Sequence, residues 1–161
     1  RSTGSSVTQY LQRTIWDPIG MEFDGSWSVD SKDSDFEKME TGVNARAIDF
    51  AKFGRLYLQK GQWNGEQLVP AEWIAAATSK QVENNNAPSG RNPDWRQGYG
   101  FQFWRCRHGA YRGDCKDGQF CIVLPQQATA TDGGDYSGEL WVQVPGIMEE
   151  DKPRLFRKFQ K

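Results

Sequence analysis

An α+β fold, with antiparallel strands packed against helices, is what this sequence predicts, and three observations predict it. A helix-start signal at Ser6-Val7-Thr8-Gln9 and a long apolar-faced segment over residues 45–60 place helices in the first half. Two runs rich in aromatic and β-branched residues, 99–107 and 119–124, place strands in the second half. Helices first and strands afterwards, without regular alternation, mark the α+β class.

In Ser6-Val7-Thr8-Gln9 the Ser hydroxyl and the Gln side chain are spaced to satisfy free amides at a helix start. Val7, Tyr10, Leu11 and Ile15 follow at helical spacing, and Pro18 stops the helix. Residues 22–40 are polar, with Gly, Ser and Asp, and read as an irregular loop that Phe23, Trp27 and Phe36 pin to the body. Asn44 is the expected N-cap of the helix over residues 45–60, with Gly61 as its C-terminal glycine. Its apolar residues, among them Ala47, Ile48, Phe50, Phe53, Leu56 and Tyr57, form a face broad enough for more than one neighbour. Gly54 inside that helix costs about 1 kcal/mol against Ala, so close packing against another backbone is the expected reason for it.

Residues 61–65 read as a turn, and Pro70 suits the first turn of a helix over 71–79. Residues 81–97, with Asn84-Asn85-Asn86 and Pro88-Ser89-Gly90, form a loop. After the two strands come a weaker strand over 128–131, a short helix begun over 139–144, and a solvated basic tail at 154–158. The organisation is one domain or fragment: a helical part with an irregular loop over 1–80, a loop over 81–98, strands and a short helix over 99–145, and a tail over 146–161.

At 161 residues the chain is long enough to bury a sizeable core. Apolar residues make up 37% and charged residues 25%, with a mean hydropathy of -0.78. Seven Trp and nine Phe weight that core toward aromatics. Twenty Lys and Arg balance 21 Asp and Glu, a net charge of -1, which offers no field for gripping nucleic acid or an anionic membrane. No apolar run approaches a membrane span. The first six residues lack a signal-peptide pattern, and the sequence assigns no compartment. Cys106, Cys115 and Cys121, odd in number and without CxxC spacing, argue against a disulfide framework and against a zinc site.

Five short signals run in order from Tyr10 to Pro125. They are Tyr10-Leu11 with Ile15-Trp16-Asp17-Pro18-Ile19-Gly20-Met21; Thr41-Gly42-Val43-Asn44-Ala45-Arg46-Ala47-Ile48-Asp49; and Gly61-Gln62-Trp63-Asn64-Gly65 with Val69-Pro70-Ala71-Glu72-Trp73. Then come Tyr99-Gly100-Phe101-Gln102-Phe103-Trp104 and Gly118-Gln119-Phe120-Cys121-Ile122-Val123-Leu124-Pro125. In that order they resemble the C-terminal half of the serine β-lactamase-like, penicillin-binding-protein-like hydrolases, in the branch with esterases and 6-aminohexanoate-dimer hydrolases. The resemblance implies hydrolysis of an ester or amide through an acyl-serine, with no metal and no organic cofactor.

That reaction needs a serine activated by a lysine one helical turn later, because a hydroxyl is a poor nucleophile until a base takes its proton. No serine here has a lysine three positions on, and no tyrosine has an asparagine two positions on. No catalytic residue is therefore assigned within this chain. The resemblance places both elements upstream of residue 1, in a second polypeptide or a missing N-terminal part. Without it the sheet would keep an open edge, so partnering or self-association is expected.

The family's third element is a substrate-binding triplet on an edge strand before the Gly-Gln step, and it falls on Gly113-Asp114-Cys115. Lys116 would then lend its backbone amide to an oxyanion hole. Gly113 replaces a basic or small residue, and Cys115 stands where glycine is usual. Tyr99, Phe101, Gly118 and Gln119 complete the expected cleft wall; an ordinary strand-to-strand turn is the other reading of 113–118.

Two rival readings use the same residues. In one, the half-fold is a non-catalytic binding or interaction module. In the other, Cys115 or Cys121 is a thiol nucleophile helped by His108, the single histidine. Asp49 with Arg46, and Glu37 with Glu40, read as solvated or ion-paired surface groups. Trp95, Tyr99, Phe101, Phe103 and Trp104 serve either as cleft lining or as core.

Overall fold

The computed structural model describes residues 3–39, 41–84, 96–114, 120–125, 138–143 and 156–158. The α+β class holds, with helices in the first half and a four-stranded antiparallel sheet in the second.

Helix α1, Val7–Leu11, begins as its sequence dictates. The Ser6 hydroxyl accepts from the Gln9 amide at 3.1 Å, and the Gln9 side chain accepts from the Ser6 amide at 3.2 Å. The helix widens into a π-helical segment, Gln12–Trp16, before the turn at Pro18, and delivers Trp16 and Ile19 to the core. A second cap on α1 comes from far along the chain. The Glu37 carboxylate accepts from the amides of Val7 at 2.8 Å and Thr8 at 3.1 Å. Glu37 is thus buried, not solvated as its residue type suggested, because a carboxylate can leave water when helix-start amides replace it. Glu37→Ala is expected to cost about 2 kcal/mol through two lost charge-assisted bonds. Chemical denaturation would read this, and amide exchange would show the loss of protection at Val7 and Thr8.

Strand β1, Ser26–Ser28, lies inside the segment expected to be irregular and pairs antiparallel with β2, Val43–Asn44. Trp27 does pin this segment, donating from Nε1 to the carbonyls of Lys38 at 2.6 Å and Thr41 at 3.1 Å. Phe36 does not; it is largely exposed. Asn44 belongs to β2 and donates to the Gly42 carbonyl instead of capping the next helix.

Helix α2, Ala47–Leu58, starts after Arg46 and ends in a Schellman motif. The Gly61 amide donates to Leu56 and the Lys60 amide to Tyr57, with Lys60 in the left-handed region at φ 53°. Leu56 is fully buried with Trp16, Ile19, Met21 and Trp27, and this cluster unites α1, β1 and α2. Gly54 is close-packed, though against side chains instead of backbone. A Cβ there would stand 2.8 Å from Cys121 Sγ and would overlap a Leu140 methyl. Asp49 is also fully buried, accepting from the amides of Glu22 at 2.6 Å and Phe23 at 3.3 Å. Its expected partner Arg46 lies instead over the Phe23 ring, 3.9 Å from the centroid.

A short hairpin of β3, Gln62–Trp63, and β4, Glu66–Gln67, leads to α3, Ala71–Thr78, which follows Pro70. The sheet then runs β5, Trp104–Arg105; β6, Tyr111–Asp114; β7, Phe120–Pro125; and β8, Gly138–Gln143, in spatial order β5-β6-β7-β8. Two expectations fail here. The strand placed over 99–107 shrinks to β5, because Phe101 and Gln102 form a turn closed by the Gly100 amide on the Phe103 carbonyl at 2.8 Å. The short helix expected over 139–144 is β8, registered residue for residue against β7 from Phe120↔Gln143 to Pro125↔Gly138.

The tail is corrected as well. Phe156–Lys158, expected to be solvated, forms β9 and pairs with β1. The strand expected over 128–131 lies outside the described residues. No described helix is long and apolar enough to cross a membrane.

Candidate functional site

The strand expected to hold substrate is β6. It pairs with β7 through Tyr111↔Val123, Arg112↔Ile122, Gly113↔Cys121 and Asp114↔Phe120. On its other side β5 registers only against Tyr111 and Arg112, so no β5 residue opposes Gly113 or Asp114. Strand alternation puts Gly113 on the same face as Tyr111, toward α2. A Cβ at Gly113 would meet no atom of the described residues within 4 Å. Cys115, Lys116, Gly118 and Gln119 lie outside the described residues.

The open space beside Gly113 belongs to a cavity of about 610 Å³ between α2 and the sheet. Phe50, Phe53, Gly54 and Tyr57 reach it from one helical face, and Cys121 and Val123 reach it from alternate positions of β7. Residues 39 and 41–43 close one side. Trp73 and Phe101 form the rim, with rings stacked at 5.5 Å and both substantially exposed. Tyr99, expected in this wall, does not line the cavity; it packs edge-on against Trp104 at 4.7 Å. Phe103 serves both readings, buried in the core and lining the cavity. Trp95 and Glu40 fall outside the described residues.

Asp114 is the one charged residue of the lining among the described residues, and Arg112 Nε donates to its carboxylate at 3.4 Å. Arg112 is itself buried and also donates from Nη1 to Cys106 Sγ at 2.9 Å. The other titratable groups of the lining among the described residues, Cys121 and Tyr57, are neutral acids. Burial pushes the Cys121 thiol up to about 11 and the Tyr57 hydroxyl up to about 12, because an anion there would lose its water. Burial raises Tyr111 further, Tyr57 and Cys121 add to that, and Arg105 opposes it.

These values oppose the thiol-nucleophile reading for Cys121. A thiol that far above neutral pH supplies almost no thiolate. His108, its suggested helper, is exposed in a 3-10 turn over Arg107–Gly109, with φ 59°. Neither Cys106 nor Cys121 forms a disulfide among the described residues.

Sequence reasoning brought Phe101, Gly113 and Asp114 to this place and missed Tyr57 and Trp73. Tyr57 sits on an apolar helical face whose spacing looks the same whether it meets core or cavity.

Helices with small antiparallel sheets define an α+β class, and a structural neighbour has the β-lactamase-like fold. One solved structure with it is from Bacillus anthracis, a protein provisionally named a 6-aminohexanoate-dimer hydrolase, at 28% identity and a TM-score of 0.61. The match covers 76% of this chain and 30% of that one, so this chain spans under a third of the neighbour's length. The likeness relates the chain to β-lactamase-like hydrolases. No family model matches the sequence, and no curated protein does.

Proposed function

We propose that this chain forms one wall of the acyl-transfer pocket of a serine hydrolase, cleaving an ester or amide whose nucleophilic serine comes from polypeptide outside these 161 residues. The observation that carries the reading is the juxtaposition at β6. Gly113 and Asp114 stand beyond the reach of β5, on a strand that borders the cavity. A substrate can lie along such a strand and meet its backbone.

In this reading a serine Oγ attacks the acyl carbon, a lysine takes its proton, and the alcohol or amine departs. Water then releases the acid. The amide of Lys116 holds the oxyanion, and Cys115 fills the place beside it where the resemblance has glycine. The partner would also extend the sheet beyond β8, which is the last strand of the four-stranded sheet among the described residues. A non-catalytic interaction module is the second reading, favoured by the lack of any Ser-x-x-Lys spacing in this sequence.

The test is reconstitution. A fluorogenic short-chain ester is assayed with the chain alone, and with the part of the Bacillus anthracis neighbour that the match leaves uncovered. Turnover is expected only in the mixture, and a fluorophosphonate should abolish it. Turnover by the chain alone that a fluorophosphonate stops would overturn the reading. Binding to the partner without turnover would favour the interaction module.

A further inference from the structure

The cavity has a chemistry of its own, which extends the reading above from reaction type to substrate class and rests on that reading for its link to catalysis. We infer that the cavity between α2 and β6–β7 binds neutral, apolar-chain esters or amides, with the chain among Phe53, Phe103 and Phe120 and the carbonyl accepting from the Tyr57 hydroxyl.

Size is the first argument. About 610 Å³ lies within the range of roughly 300–1,000 Å³ that small-molecule sites occupy. Charge is the second. Among the described residues the lining carries a single carboxylate, Asp114, which is already met by Arg112. A cationic ligand would have to compete with that guanidinium for it. An anionic ligand would face that carboxylate at close range. A neutral ligand escapes both costs.

Polar pairing points the same way. Tyr57 lines the cavity, and its hydroxyl has no hydrogen-bond partner among the described residues. Its burial keeps that hydroxyl protonated, hence a donor, throughout the neutral range. A ligand carbonyl entering the cavity can accept from that hydroxyl. So does Gly113, whose missing side chain leaves space on the strand where substrate is proposed to lie.

The experiment is a calorimetric titration of the 161-residue chain with methyl hexanoate, hexanoate and hexylammonium. Methyl hexanoate is expected to saturate a single site, with the two ions at least about tenfold weaker. Gly113→Leu, which extends into open space, should abolish binding while circular dichroism stays unchanged. If that variant does not fold, Gly113→Ala, a smaller plug, should weaken binding in part. Tyr57→Phe should weaken methyl hexanoate by about three- to tenfold and leave toluene unaffected.

No saturable binding, equal binding of all three probes, or unchanged binding in the folded Gly113 variants would overturn the inference. The first of these is also the result expected if the cavity is filled by polypeptide. No turnover enters this measurement. Failed binding therefore leaves the reconstitution test standing, and reconstituted turnover without binding would sink the cavity assignment alone.

Discussion

Replacing Gly100 with Ala is expected to destabilise the protein by about 3 kcal/mol, a fall of roughly 10 °C in Tm for a chain of this size. The added Cβ would lie 2.8 Å from the Ser79 carbonyl oxygen and would overlap the Ala77 carbonyl outright. Both obstacles are backbone, so neither can rotate away. The Ala77 carbonyl also accepts from the Phe101 amide at 2.9 Å, which ties the end of α3 to the turn before β5. Opening that contact would separate Trp73 on α3 from Phe101 on the turn, and with them the cavity rim. The control is Gly113→Ala, whose Cβ meets nothing among the described residues and should change stability by no more than about 0.5 kcal/mol. Thermal unfolding of both variants checks the pair. Equal midpoints would show that the approach of Gly100 to α3 is not what holds this corner.

What was legible in the sequence was local. Ser6 and Gln9 are three residues apart, and their reciprocal bonds need nothing else from the fold. The body of α2 announces itself through a repeating apolar face, and Pro70 marks the start of α3. What was illegible depends on residues far apart in sequence. Residues 139–144 are too few to separate helical from strand periodicity, and the register with β7 decides for strand. The same holds for the basic residues of β9, which take their conformation from β1.

Asp49 and Glu37 were misread for a related reason. Carboxylates are exposed by default, and nothing adjacent to either residue reveals the amides of Glu22, Phe23, Val7 and Thr8 that replace their water. Gly113 and Asp114 could be placed on a strand from the sequence because their position depends on strand order. The cavity could not, since its volume arises between α2 and strands β6 and β7, more than fifty residues later in the chain.

Stability is expected to fall steeply at alkaline pH, through the buried neutral acids behind the cavity. Cys121 rises from 9.0 to about 11 on folding, and Tyr57 from 10.0 to about 12. A raised value means that the folded state holds its proton more tightly than the unfolded chain. The contribution of Cys121 is thus complete below pH 9.0 and is lost as pH climbs toward about 11; that of Tyr57 is lost between pH 10.0 and about 12. At 1.36 kcal/mol per unit, each group is worth on the order of 2–3 kcal/mol, a large share of a typical total of about 5–15 kcal/mol. Tyr111, raised in the same direction, adds to the loss at higher pH. Urea midpoints from pH 7 to 11 would trace the decline. Cys121→Ser should flatten the first part of it while leaving tyrosinate absorbance to rise at the same high pH. The two limbs separate because the thiol ionises in the unfolded chain before any phenol does. A stability curve level to pH 11 would mean that neither the thiol nor the Tyr57 hydroxyl is shielded from water, and the cavity wall would then be wet.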